Sequence, residues 1–257
     1  MSARILAIDA GNTRIKWGLH DGTEWLSRDA VATAEIAGSH AFRHVLKASA
    51  IDRIVISNVA GEAVGQTLKA QIQYLNKPVT FITAQAHQCG IVNCYNDPAQ
   101  LGSDRWAALI GARAGVEGAP CAQLVVMSGT ALTVDAIAAD GQFLGGIIVP
   151  GLMLMHSALN RGTAQLPLSQ GQYQRFPTST GNAITSGAVH ACAGAIAGLF
   201  THLSTYAGEV PQCIGSGGAM HVLAAHLPFP LLINDNLVLD GLIIIGNAGA
   251  ANQICSS

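Results

Sequence analysis

Residues 4–22 read RILAIDAGNTRIKWGLHDG, and this stretch decides the fold of the first half of the chain. A short apolar run ends in Asp9, the residues Gly11-Asn12-Thr13 turn the chain, and the next residues alternate up to Asp21-Gly22. Apolar runs bounded by turn residues are typical of β-strands joined in a hairpin. The stretch therefore predicts two strands, with Asp9 delivered to the turn at the end of the first.

A second stretch, QLVVMSGTALTVDAI at residues 123–137, repeats this plan of apolar strand, glycine turn and second strand. When the two stretches are aligned, Gly11-Asn12-Thr13 corresponds to Gly129-Thr130-Ala131. Hydrophobic periodicity and turn residues predict further strands at 53–60, 79–84 and 143–149, and helices at 39–49, 62–76, 104–115 and 219–226. The repetition predicts an α/β protein of two duplicated domains with a cleft between them. Gly118-Ala119-Pro120 has the composition of a linker, which gives domains at 1–118 and 119–257.

The composition limits the classes of function. Half of the 257 residues are apolar, the mean hydropathy is +0.37, the formal net charge is −2 and the pI is about 6.5. This net charge and pI do not indicate the basic surface on which nucleic-acid binding depends. The longest apolar stretch that we identify, residues 143–155, falls short of the roughly 20 residues of a membrane span, and no signal peptide is predicted. We therefore expect a cytoplasmic protein that binds small molecules, with neither nucleic acid nor membrane as partner.

The first turn has the residue types that hold phosphate groups. Its glycine lets the backbone approach a ligand, its N–H groups can face an anion, and Lys16 follows on the next strand. Asp9 would then bind a metal ion through water. The alternative is an ordinary hairpin with Asx-turns. The turn at 128–133 is equally ambiguous alone, but two such turns at equivalent points of duplicated halves favour phosphate binding.

The segment QLGSDRWA at residues 100–107 places Asp104 beside Arg105 in a chain with only 11% charged residues. Asp104 lies in the first turn of a predicted helix, where the helix dipole favours a carboxylate. One interpretation is a surface ion pair. The other is a site in which Asp104 accepts a proton and Arg105 holds an anion.

Taken in order, the motifs resemble those of the type III pantothenate kinase family, some members of which were first described as Bvg accessory factors. The family patterns D-x-G-N-T, G-x-D-R, G-T-A-x-T, G-G-x-x-x-P-G and T-A-x-L-P occur here at Asp9–Thr13, Gly102–Arg105, Gly129–Thr133, Gly145–Gly151 and Thr163–Pro167. Each motif is weak alone, whereas the ordered set is specific and extends from about residue 5 to 245. The family belongs with actin, sugar kinases and heat-shock ATPases, so the resemblance implies two ribonuclease-H-like domains with ATP between them.

The resemblance implies ATP-dependent phosphorylation of the primary hydroxyl of pantothenate, an early step of coenzyme A biosynthesis, with Asp104 as the catalytic base. It assigns pantothenate binding to Tyr95, Gly102, Ser103, Asp104, Arg105 and Thr180. It assigns ATP binding to Asp9, Ala10, Gly11, Asn12, Thr13, Arg14, Ile15, Lys16 and Thr130. It also implies Mg²⁺ with the ATP, bound to Asp9 through water, and a homodimer whose partner subunit partly closes the substrate pocket. The small residues of HACAGAIAGLF (190–200) fit either such an interface or a tight core.

One position departs from the family pattern. Where most members have an aspartate that helps to bind a monovalent cation, this chain has Met127. A thioether is a poor ligand for K⁺ or NH₄⁺, which prefer oxygen. Backbone carbonyls could still supply part of such a site, so a requirement for K⁺ or NH₄⁺ stays open.

Two alternative functions remain at this level. The first is a kinase of another small hydroxylated acid or sugar, against which Tyr95 and residues 102–105 argue. The second is a kinase-like accessory protein that regulates transcription. The near-neutral pI and the lack of a basic stretch weigh against direct DNA binding, so such a regulator would act through a protein partner.

Overall fold

We describe the protein from a computed structural model, which covers residues 3–48, 50–116, 118–162 and 171–254. The chain forms two compact units. The first comprises Met1–Gly115 together with Asn236–Ser257, and the second comprises Val116–Asp235. The division near Gly115 lies close to the predicted linker, but the structure differs from the predicted domains at the C-terminus, where the chain returns to the first unit.

The first unit contains a five-stranded sheet in the order β3-β2-β1-β4-β5. The strands are β1 (Ile5–Ala10), β2 (Arg14–His20), β3 (Trp25–Ala32), β4 (Arg53–Asn58) and β5 (Val79–Phe81). β1 is antiparallel to β2 and parallel to β4. Because β1 lies in the middle of the sheet, the side chains of residues 5–8 are at most 1% exposed, as expected of a strand covered on both faces. The carboxyl ends of β1 and β4 thus share one edge, where Asp9 pairs with Ser57 in register.

Helices α1 (His40–Ala48), α2 (Glu62–Ile72) and α3 (Ser103–Ala114) also belong to the first unit, as does the hairpin of β6 (His87–Gln88) and β7 (Ile91–Asn93). The core of the sheet centres on Trp17, whose ring meets that of Phe42 edge-on at 5.1 Å between centroids. β3 was not predicted, because most of its residues are polar or exposed and give no alternation. β6 and β7 were not predicted either, because they are too short to show an alternation of apolar and polar residues in the sequence.

The C-terminal helix explains why the chain returns to the first unit. α7 (Leu237–Ile254) packs on α3, β1 and β4. A side chain at Gly241 would collide with the backbone of Ala107 in α3, so glycine permits this close helix contact. Burial of apolar side chains in the first half of α7 stabilises the first unit, and these residues are Leu237, Val238, Leu239, Leu242, Ile243 and Ile245.

The second unit repeats the plan of the first. Its strands are β8 (Gln123–Ser128), β9 (Ala131–Ile137), β10 (Gln142–Pro150), β11 (Gln212–Ser216) and β12 (Leu232–Ile233). They follow the order β12-β11-β8-β9-β10, with β8 antiparallel to β9 and parallel to β11. If β1 to β5 correspond to β8 to β12, the order and the directions of these pairings are the same in both units. The predicted duplication is therefore confirmed at the level of topology.

The helices of the second unit are α4 (Leu152–Gly162), α5 (Thr180–Ala207) and α6 (Met220–Ala224). α5 packs on β8 and β9. In the described part of the chain, α5 is long and apolar enough to cross a membrane by length and composition, a criterion that core helices of soluble proteins also meet. The expectation that no stretch reaches this length was wrong, because α5 has 28 residues and contains an 18-residue window that is apolar on average.

Candidate active site

The first unit has two carboxylates with raised pKa values, and the charge of one acts on the other. Asp9 ends β1 and Asp104 lies in the first turn of α3. Burial and, to a smaller degree, the charge of Asp104 raise the pKa of Asp9 to about 7, against the opposing effect of Lys16. Burial likewise raises the pKa of Asp104, opposed by the N–H and the charge of Arg105. Raised carboxyl pKa values of this kind are common where a site needs a proton acceptor near neutral pH.

The start of α3 orients Asp104. The N–H of Arg105 donates to Asp104 Oδ1 at 2.8 Å, which turns the carboxylate towards the helix N-terminus. A Cβ atom at residue 102 would lie 2.7 Å from the same oxygen, so a side chain at this position would displace the carboxylate of Asp104. The G-x-D-R motif is therefore explained locally, since the glycine makes space for the carboxylate that follows it.

Arg105 and Tyr95, both predicted substrate contacts, lie together. Arg105 is only 6% exposed, and its guanidinium carbon is 5.9 Å from the centre of the Tyr95 ring, a cation–π arrangement. The Tyr95 N–H donates to Asn93 Oδ1 at 3.1 Å, which fixes the tyrosine backbone after β7. A largely buried guanidinium beside an aromatic ring suits a ligand with a carboxylate.

Ser103 makes a contact that the sequence did not predict. Its hydroxyl is 2.9 Å from the hydroxyl of Ser57, and both side chains are buried. Ser57 pairs with Asp9 across β1 and β4, so it joins the end of the central strands to the start of α3. The only sequence signal for Ser57 is a polar residue at the end of an apolar strand.

The predicted ATP residues of the first turn divide into two groups. Ala10 and Ile15 are buried, so their side chains belong to the core and only their backbone could meet a ligand. Asn12, Thr13 and Arg14 are exposed, whereas Gly11 and Lys16 are half-buried. The turn is closed by the Gly11 N–H, which donates to the Arg14 carbonyl at 3.1 Å.

The corresponding turn of the second unit is one residue shorter and contains Gly129 and the exposed Thr130. The Gly129 N–H donates to the Ala131 carbonyl at 3.0 Å, and the Gly151 N–H donates to the Thr130 carbonyl at 3.0 Å. Thr180 begins α5 and is exposed, and the Ser179 hydroxyl caps that helix. The motif at Thr163–Pro167 lies outside the described residues.

At the proposed monovalent-cation position the side chain of Met127 offers sulfur in place of a carboxylate. Met127 pairs in register with Thr133 across β8 and β9. Among the described residues, the hydroxyl oxygens of Ser128 and Thr133 are buried without a hydrogen-bond partner, so the oxygen atoms beside Met127 are neutral hydroxyls. K⁺ and NH₄⁺ prefer oxygen ligands, so we derive no role for such an ion here.

Mg²⁺ fits the first unit better. The described residues hold no group of three or more His, Cys, Asp or Glu that could enclose a metal ion. Mg²⁺ bound with a nucleotide does not need such a cage, because one or two carboxylates with phosphate oxygens and water complete its octahedron. Asp9 supplies a carboxylate of this kind.

Comparison with known proteins agrees with the fold and with the motifs. A family model described as type III pantothenate kinase matches residues 5–202. A relative of that name from Nitrosospira multiformis is 44% identical over 246 residues, which are 95% of this chain and 92% of the relative. Further curated relatives carry the same name, among them one from Aromatoleum aromaticum.

Solved structures show the same architecture. A Campylobacter jejuni protein described as a Baf family transcriptional activator aligns with a TM-score of 0.60 at 20% identity, over 96% of this chain and 99% of the other. A ROK family glucokinase from Streptomyces griseus, in complex with glucose and AMPPNP, aligns with a TM-score of 0.52 at 13% identity, over 93% and 98%. At these identities the structures establish the fold alone, and they confirm the predicted fold class of two duplicated α/β domains. Since the family model covers most of the chain and the curated relative covers nearly all of it, this protein belongs to the type III pantothenate kinase family.

Proposed function

We propose that the protein transfers the γ-phosphate of ATP to the primary hydroxyl of pantothenate and so forms 4′-phosphopantothenate for coenzyme A biosynthesis. The observation that carries the proposal is the cluster of Asp9, Asp104 and Arg105 in a chain of this family. In this proposal Asp104 is the proton acceptor, Asp9 is the carboxylate that binds the metal ion, and the buried Arg105 binds the substrate anion.

Asp104 acts as the base in the proposed reaction. An alcohol is a weak nucleophile, and a carboxylate within hydrogen-bond reach accepts its proton as the attack proceeds. Burial raises the pKa of Asp104, which strengthens it as a proton acceptor, while the Arg105 N–H keeps one of its oxygens in place. Arg105, beside Tyr95, binds the pantothenate carboxylate or an amide oxygen. Gly102 and Thr180 complete the proposed substrate contacts, whereas the Ser103 hydroxyl bonds to Ser57.

The first turn and Thr130 bind the ATP phosphates in this proposal. Asn12 and Thr13 present polar groups at the surface, and Lys16 adds a positive charge next to Asp9 in register. Mg²⁺ bound with ATP would neutralise phosphate charge, and Asp9 would hold it through water. Since Met127 gives the monovalent-cation position no oxygen, we propose that turnover needs neither K⁺ nor NH₄⁺.

We also propose that the protein is a cytoplasmic homodimer. α4 and α5 border an apolar groove of about 380 Å³, lined by residues such as Leu154, Leu159, Ile184 and Gly187. Leu154 and Leu159 are exposed, at 36% and 44%. An apolar surface of this kind in a soluble protein is typical of an interface, and the family resemblance supports a second copy as its occupant.

Phosphorus-31 NMR of purified protein with Mg-ATP and pantothenate tests the function. We expect a new phosphomonoester signal with the wild type and a loss of about 100-fold or more in kcat with Asp104→Asn, because the amide cannot accept the proton. Replacing K⁺ by Na⁺ should leave the rate unchanged. A panel of other hydroxylated acids and sugars serves as control. Turnover of one of these compounds without turnover of pantothenate would refute the proposed substrate, and full activity of Asp104→Asn would refute the base.

A further inference from the structure

Thr33, which belongs to none of the sequence motifs, makes two hydrogen bonds to the first turn. It directly follows β3 and is half-buried. Its hydroxyl donates to the Gly11 carbonyl at 2.7 Å, and its N–H donates to the Thr13 carbonyl at 3.0 Å. The second bond extends the ladder of β2 and β3 by one residue beyond the pair Arg14 and Ala32.

These bonds fix the direction of the carbonyl groups in the turn. A third carbonyl, that of Ala10, accepts from the Val59 N–H at 3.0 Å. An anion is repelled by carbonyl oxygens and is attracted by backbone N–H groups, so a phosphate-binding turn must direct its carbonyls away from the ligand. Thr33 does this for Gly11 and Thr13, on either side of Asn12. Among the described residues Asn12 has no hydrogen-bond partner, which leaves it available to a ligand.

We infer that Thr33 is a positioning residue for ATP. Its hydroxyl holds the carbonyl of Gly11 against β3 and thereby keeps the turn in the form that accepts phosphate oxygens. The inference rests on the proposal that this turn binds the phosphates of ATP. Thr33 itself does not touch the nucleotide.

Steady-state kinetics of Thr33→Val tests the inference, because valine keeps the shape and the backbone N–H and removes the hydroxyl. We expect the KM for ATP to rise about three- to tenfold, as befits the loss of one hydrogen bond. The KM for pantothenate should stay within about twofold of the wild type, since Tyr95 and Arg105 are untouched. Thr33→Ser, which restores the hydroxyl, should return the KM for ATP to near the wild-type value. If Thr33→Val does not fold, Thr33→Ala takes its place.

Thr67→Val is the matched control. The Thr67 hydroxyl also donates to a backbone carbonyl, that of Ala63 at 2.9 Å, but within α2. This variant should leave both KM values unchanged, and its thermal unfolding midpoint shows how much a lost threonine hydroxyl destabilises the unit. An unchanged KM for ATP in Thr33→Val, or an equal rise of both KM values that serine does not reverse, would overturn the inference.

Lys16→Ala separates this inference from the proposed phosphate site. If Lys16→Ala raises the KM for ATP and Thr33→Val does not, the turn binds ATP and the role of Thr33 is wrong. If neither variant changes the KM for ATP, the assignment of the turn to ATP fails, and the inference fails with it.

Discussion

At the scale of single residues, the chemistry of the candidate site depends on carboxylates that burial makes less acidic. The sequence predicted Asp9, Asp104 and Arg105 because they stand at turns or helix starts in a chain with little charge. It did not predict Ser57 or Thr33, since their roles arise from partners 46 and 22 residues away in the chain. Side chains that act through tertiary hydrogen bonds leave no local pattern.

The pKa of Asp9 gives a prediction for stability without ligand or metal. Its folded pKa is about 7 and its ordinary value is 3.8, so between these pH values the folded state binds more protons than the unfolded state. The free energy of unfolding should therefore decrease as the pH rises from about 4 to 7. The Asp9→Asn variant cannot ionise at this position and therefore does not lose stability as the pH rises. Its free energy of unfolding should exceed that of the wild type by about 1–3 kcal/mol at pH 7.5, and the two should not differ in this way at pH 4.

Urea unfolding at a series of pH values, with a chelator present, measures this difference. A wild type and an Asp9→Asn variant with the same pH dependence would contradict the raised pKa of Asp9. The gain in stability would fit the proposed role of Asp9, since groups that serve a ligand commonly destabilise the free protein.

At the scale of secondary-structure elements, hydrophobic periodicity located the strands that form the two hairpins and helices α1, α2 and α3. Periodicity was less informative for α5, where the sequence indicated only the segment 190–200 as a packing helix. Alanine and glycine give little contrast in hydrophobicity between the faces of a helix. α3 combines a feature that the sequence predicts with a contact that it does not predict. Its first turn carries the motif that the sequence revealed, and its position depends on the hydroxyl pair of Ser57 and Ser103, which the sequence did not reveal.

The hydroxyl pair should stabilise the contact of α3 with β4 cooperatively. Ser57→Ala or Ser103→Ala alone leaves the other hydroxyl buried without a partner, and each should cost about 1–3 kcal/mol. The double variant should cost less than the sum of the two, by about 1 kcal/mol. Urea unfolding of the wild type, the two single variants and the double variant measures this coupling.

Ser157→Ala in α4 is the control. The Ser157 hydroxyl bonds within its own helix, so this variant should change the free energy of unfolding by less than about 0.5 kcal/mol. Strictly additive losses at Ser57 and Ser103 would show that the two hydroxyls do not cooperate.

At the scale of the whole molecule, the duplicated topology was predictable and the path of the chain was not. The repeat was visible because both hairpins keep a glycine turn after an apolar strand. The return of α7 was not visible, because the second unit separates it from its partners by more than a hundred residues. The contact depends on Gly241, whose lack of a side chain lets α7 approach α3, and close approach of this kind has no periodic signature.

The exposed face of α5 leads to a prediction about assembly. α5 has 28 residues and is therefore about 42 Å long. Its exposed positions are mostly small residues, and a Cβ atom built at Gly187 meets no atom of another element within 4 Å. Gly187→Glu therefore adds a charge to this face at a position that has space for a Cβ atom. We expect the wild type to have about twice the chain mass of 26.5 kDa and Gly187→Glu to be largely monomeric, because an unpaired charge at the centre of an apolar interface is costly.

Light scattering after size-exclusion chromatography gives the two masses. Val210→Glu is the control, because Val210 is also apolar and 75% exposed but lies outside α5, and this variant should remain dimeric. A monomeric wild type would refute the proposed dimer. A dimeric Gly187→Glu variant would place the interface elsewhere on the surface. If Gly187→Glu is a monomer and also has a higher KM for pantothenate, the partner subunit contributes to the substrate pocket, as the family resemblance implies.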